Sequence, residues 1–161
     1  MSERFDGTMF GPGQPCFGCS PDHAIGFRLA FTREGDDVVT RMTPGEQYQG
    51  PPGIMHGGLV ATLADEVGAW ACIVFLGKFG FTVSFSARLT QAVRIGKETV
   101  ARARILKASS RFVDVEVQVS QDAKACFTSE FRFLLLDETG AEKMLGRPLP
   151  DAWKTYARRV P

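Results

Sequence analysis

At 161 residues, 44% hydrophobic and 23% charged, the chain has the length of one domain with a substantial core. A formal net charge of +1 gives no global field to draw in nucleic acid or anionic lipid, so neither is expected as a partner. Phenylalanine is over-used, with 13 copies against two tryptophans and two tyrosines, and most of these rings are expected in the core.

Met1-Ser2-Glu3-Arg4-Phe5-Asp6 lacks the apolar centre of a signal peptide, which makes a cytoplasmic protein the expectation. Residues 1–22 carry Gly7, Gly11, Pro12, Gly13, Pro15, Gly18 and Pro21 and read as an irregular arm. Within it Cys16-Phe17-Gly18-Cys19 has metal or redox spacing. A structural zinc takes four ligands, and Cys72 and Cys126 fall in a helix and a strand, not in a second knuckle. A redox motif would be followed by a helix, yet Ser20-Pro21-Asp22 continues as a turn. The expectation is two reduced loop cysteines and no metal.

Residues 25–32 and 37–43 alternate around Arg33-Glu34-Gly35-Asp36, the pattern of a β-hairpin. Residues 44–55 hold three prolines and three glycines and form a loop. An apolar helix is predicted from 56 to 76, closed by Gly77. Its interior Gly68 calls for close packing against a strand or a second helix. Asp65 and Glu66 interrupt the apolar run, which makes it a poor membrane span. Period-two runs follow at 81–89, 99–105, 112–120 and 125–135, joined by short turns. In the first, Phe81, Val83, Phe85, Ala87 and Leu89 share one face and Thr82, Ser84, Ser86 and Arg88 the other. These runs argue an antiparallel sheet with one wet face. Residues 148–161 suggest one exposed helical turn around Trp153 and Tyr156. The fold class is therefore α+β, a long central helix wrapped by a curved antiparallel sheet, with an arm at 1–22, a domain at 23–140 and a tail at 141–161.

Backbone N–H groups at a helix start attract negative charge, and a carboxylate in apolar surroundings is costly unless it has a task. His56-Gly57-Gly58 at the helix start and Asp65 within it thus read as an oxyanion site and an acid, base or nucleophile. No Gly-x-Ser-x-Gly elbow is present, which disfavours a serine triad.

The chain resembles the hotdog-fold acyl-CoA thioesterases of the phenylacetate-degradation type. The residues that carry the resemblance are Gly53, His56-Gly57-Gly58, Asp65 nine positions after the histidine, Thr82-Val83-Ser84-Phe85 and the Gly96 turn. It implies hydrolysis of a CoA thioester, with the Gly57 amide polarising the carbonyl, Asp65 as nucleophile or general base and Thr82 orienting water. It also implies a side-chain amide in the preceding loop; Gln49 stands one residue from the matching position. His56 fixes the turn or acts as acid/base, Gly58 adds a second helix-start amide, and Glu66 is the rival carboxylate. Arg88 and Arg94, with Lys97 and Arg111, are candidates for the CoA phosphates. No cofactor is implied beyond the coenzyme A of the substrate itself.

Helix geometry adds a constraint of its own. Nine residues separate His56 and Asp65 by about 13 Å and half a revolution, so the two ends cannot meet at one carbonyl unless two chains supply them. A symmetric homodimer, or a homotetramer built as a dimer of dimers, is the expectation. The rival readings are a non-catalytic acyl-CoA-binding module, which would have no need of Asp65, and a hydratase, which would want a different Asp/His arrangement.

Overall fold

The computed structural model describes residues 3–160. Seven strands form one sheet: β1 (Arg4–Asp6), β2 (Ala30–Glu34), β3 (Asp37–Met42), β4 (Phe79–Leu89), β5 (Thr99–Ala108), β6 (Phe112–Gln121) and β7 (Lys124–Leu136). Their order is β1-β2-β3-β5-β6-β7-β4, and every neighbouring pair is antiparallel. The long helix α1 (Gly57–Leu76) packs on the sheet, and two short helices, α2 (Glu138–Leu145) and α3 (Asp151–Ala157), end the chain.

The inner face follows from the period-two pattern. Val113, Val115, Val117 and Val119 of β6 and Phe127, Phe131 and Phe133 of β7 are buried with Leu63, Val67 and Ala71 of α1. Branched and aromatic side chains suit a pleated face covered by a helix. Gly68 lets the helix sit close: a methyl there would come within 3.0 Å of the Phe133 ring and 3.4 Å of Val117. His56 caps the helix by accepting the Gly58 N–H on Nδ1 at 3.0 Å. Gly77 closes it at φ +60, where a left-handed residue returns its N–H to the Cys72 and Ile73 carbonyls. By length and composition α1 could cross a membrane; here its apolar side lies in the core against the sheet.

Four expectations need correction. The arm is not irregular throughout, because Arg4–Asp6 pairs with the free edge of β2 and a 3-10 turn at Gly7–Phe10 follows. The first strand of the hairpin starts later than expected, since Phe27 and Leu29 donate to the Phe17 and Gly18 carbonyls at 2.9 and 2.8 Å and Arg28 sits at φ +54. The tail is neither exposed nor a single turn. Asp137 caps α2 by accepting the Gly140 N–H at 2.8 Å, so that helix runs across the expected 140/141 boundary. Trp153 is 1% exposed, and the Tyr156 hydroxyl donates to the Val74 carbonyl at 2.8 Å, which docks α3 on the end of α1. Finally, β4 does not keep one face throughout, for the reason given next.

Candidate active site

The β4–β7 register slips between Thr82 and Ser84, leaving Val83 as a bulge. Before the bulge Gly80 and Thr82 stand opposite Leu135 and Phe133, residues of the buried face; after it Phe85, Ala87 and Leu89 take that face, opposite Phe131, Ser129 and Phe127. One extra residue therefore turns Thr82 towards α1 while its neighbours Phe81 and Val83 stay about half exposed. Gly80 makes the approach possible, as a methyl there would strike the Cys72 sulfur at 2.7 Å.

The consequence is a short hydrogen bond in which the Thr82 hydroxyl donates to Asp65 Oδ1 at 2.5 Å. Burial holds the Asp65 carboxyl above the ordinary aspartate range, and the Thr82 hydroxyl offsets part of that shift. No salt bridge engages Asp65 among the described residues. A carboxylate held this way is more basic than a solvated one and keeps a free oxygen for a reactant.

Asp65 and Thr82 line a cavity of about 640 Å³. Trp70 and Ile73 of α1 and Phe79 of β4 continue that wall, and the facing walls come from segments that carried no periodic signal: Phe10, Pro15 and Cys16 from the arm, and Leu145, Arg147 and Leu149 from the tail. The only hint of the tail's role was its pair of large aromatics, Trp153 and Tyr156. Glu66 lines the same cavity but points towards the arm, accepting from Trp70 Nε1 at 3.2 Å and lying 3.4 Å from Cys16 Sγ. Burial, followed by the neighbouring Cys16 sulfur, pushes its carboxyl up to about 8.

The helix-start residues lie elsewhere. Neither His56, Gly57 nor Gly58 borders this cavity, and β4 runs back so that Leu89, not Thr82, reaches Gly57. The Gly58 N–H is taken by His56, which places that histidine in a capping role. The Gly57 N–H has no protein acceptor among the described residues. A methyl on Gly57 would meet only Leu89 Cδ2 at 3.7 Å, an ordinary contact. Packing inside the protomer therefore does not explain a glycine there. Gln49 is tied into its own loop, accepting the Gly53 N–H at 2.6 Å and donating to the Glu46 carbonyl at 3.1 Å. Arg94 stands at the helix start, its strand bridge reaching Ile54, and Arg88 lies exposed near the far end of β4. Lys97 is engaged by Asp122, and Arg111 lies over the Phe112 ring.

Comparison with known proteins agrees with this architecture. Residues 52–126 match the thioesterase superfamily model. The chain is 29% identical over 86 residues to acyl-coenzyme A thioesterase 13 of Mus musculus, covering 53% of this chain and 61% of that protein. A thioesterase superfamily protein of known crystal structure superposes with a TM-score of 0.69 at 25% identity, over 74% of this chain and 59% of its own. Zebra fish thioesterase superfamily member 2 superposes at 0.64 with 24% identity, over 72% and 90%. The chain thus spans about three fifths of the mouse relative and of the first of these structures. The fold is that of the hotdog thioesterases, and the stretch that matches the superfamily model, just under half of the chain, holds α1 and most of the sheet that covers it.

Proposed function

We propose that this protein belongs to the thioesterase superfamily and is an acyl-CoA thioesterase of the phenylacetate-degradation type, adding water to a CoA thioester to release the free acid and coenzyme A. The observation that carries the reading is the Thr82–Asp65 hydrogen bond at the wall of an apolar cavity, a carboxylate made basic by burial and aimed by one hydroxyl. The mouse relative's name supplies the substrate class. Asp65 either attacks the carbonyl, giving an anhydride that water then cleaves, or removes a proton from the attacking water; the CoA thiolate leaves in both cases. A backbone N–H at the carbonyl oxygen stabilises the developing oxyanion by about 3 kcal/mol.

The donor comes from a second copy of the chain. Strand β4 has a free edge and leaves Phe81, Val83, Phe85 and Leu89 between 50% and 54% exposed. Such an edge is a template for pairing, and a twofold axis would close it. An axis through Ser86 pairs Phe85 with Ala87 of the partner subunit and, across the Val83 bulge, sets Thr82 beside Leu89 of the partner subunit. Because Leu89 is the residue that touches Gly57 within a protomer, that register brings the partner subunit's Gly57 beside Asp65. The free N–H and the absence of packing around Gly57 support this arrangement. Arg94, beside the helix start, is then the nearest candidate for a CoA phosphate.

A panel of aliphatic and aryl CoA thioesters, followed by thiol release, tests the activity. Turnover by wild type that disappears in Asp65→Asn, with CoA-thioester binding retained, is the expected result. Binding without turnover by wild type would replace the enzyme with an acyl-CoA-binding module.

A further inference from the structure

The thioester chemistry leaves one cluster unused. Cys16 and Cys19 of the arm and Glu66 of α1 place a sulfur, a sulfur and a carboxylate oxygen within 4.8 Å of one another at the cavity wall. We propose that these three residues bind one divalent cation of the zinc class, fastening the arm to the central helix, with the fourth coordination position facing the cavity.

The spacing fits the ion. Zinc takes sulfur at about 2.3 Å and carboxylate oxygen at about 2.0–2.2 Å, so at a tetrahedral angle the two ligands stand about 3.5 Å apart. Cys16 Sγ and Glu66 Oε1 are 3.4 Å apart. The donor set is soft enough to exclude calcium and magnesium, which take oxygen ligands, and suits zinc.

The surroundings are built for the same purpose. The Cys19 N–H donates to Cys16 Sγ at 3.4 Å, the kind of contact that favours a thiolate. Gln14 fixes the turn by accepting the Cys16 N–H at 2.9 Å. Trp70 Nε1 donates to Glu66 Oε1 at 3.2 Å and so orients the carboxylate, as an outer-shell partner orients a metal ligand. Gly18 is the clearest sign of a fitted site. A methyl there would lie 2.4 Å from Glu66 Cδ, so only glycine lets the helix carboxylate seat against the cysteine turn. A cation seated among the three would take the place of the proton that Cys16 Sγ gives to Glu66 Oε1, as metal binding displaces protons from its ligands. The expectation of no metal rested on a pair of cysteines without further ligands; the third ligand comes from α1 and becomes visible only when the chain is folded.

The test uses the full reduced chain, stripped with a chelator and titrated with Co2+, then with Zn2+. The expected result is roughly one Co2+ per chain in a tetrahedral site, with a thiolate-to-cobalt absorption band that Zn2+ bleaches. Replacing both cysteines, Cys16→Ser with Cys19→Ser, should abolish the band, and Glu66→Gln should weaken Zn2+ binding at least ~10-fold by chelator competition. Cys126→Ser, outside the cluster, should leave both unchanged. The absence of a thiolate band in reduced wild type would overturn the proposal without reference to any variant. So would a Glu66→Gln chain that titrates like wild type, or a Cys16–Cys19 disulfide that persists in protein kept under reductant.

Discussion

Asp37 and Asp65 are both withdrawn from water, yet their surroundings treat them in opposite ways. Asp37, at the start of β3, has a side chain only 6% exposed and receives Arg104 Nε at 2.6 Å and Nη2 at 3.0 Å, and Arg102 Nη1 at 2.8 Å. Burial alone would raise its carboxyl, but the Arg104 and Arg102 guanidiniums reverse that and hold it below the ordinary aspartate range. Asp65 receives a single hydroxyl and no guanidinium, so burial prevails and its carboxyl is raised. The difference separates two uses of a buried charge. A carboxylate saturated by cations has little basicity left and holds strands β3 and β5 together. One left almost bare stores its desolvation cost as reactivity.

Five experiments would break or sharpen that contrast. Asp65→Asn should lower kcat by about 10²–10⁴-fold, the range for loss of a positioned acid or base, while the melting temperature holds or rises; an unchanged kcat would make Asp65 a structural residue like Asp37. Gly57→Pro should cost about 10²–10³-fold by removing one oxyanion donor. The helix tolerates it, because proline suits the first helical position and His56 already has the extended ψ of 129° that a residue before proline needs. Mixing the two inactive proteins and allowing subunits to exchange should restore turnover, since each mixed dimer holds one site with both groups intact. No recovery in verified mixed dimers would end the shared-site reading.

Asp37→Asn should leave turnover near wild type but cost about 2 kcal/mol of stability, measured by urea unfolding, since two charge-assisted partners are lost. The sign with pH follows from its lowered folded value. Wild type keeps this stabilisation above the unfolded aspartate pKa and loses it as pH falls through the folded one, so the variant should show a flatter acid limb. Thr82→Val should have the smallest effect, about tenfold in kcat or ~1.4 kcal/mol, because it removes one hydrogen bond and leaves the carboxylate in place.

Much of this was legible before the fold was known. The run after His56 reads as a helix closed by Gly77, and the valines of β6 and phenylalanines of β7 read as an inner face, because helix and strand periods are written in neighbouring residues. The conflict between an apolar run and Asp65 likewise shows in the one-dimensional chain. The arm and tail walls of the cavity do not, since Leu145, Arg147 and the arm reach it by docking and not by any period.

The amino-acid order alone thus determined the long helix, the inner faces of β6 and β7 and the carboxylate placed out of water, all properties with a range of a few residues. Only the folded chain decided that Val83 bulges and turns Thr82 inward, that Glu66 meets Cys16 and Cys19 across Gly18, and that Gly57 and Asp65 stay apart within one protomer. These depend on which strand pairs with which and in what register, and such pairings are settled by packing between segments far apart in the chain.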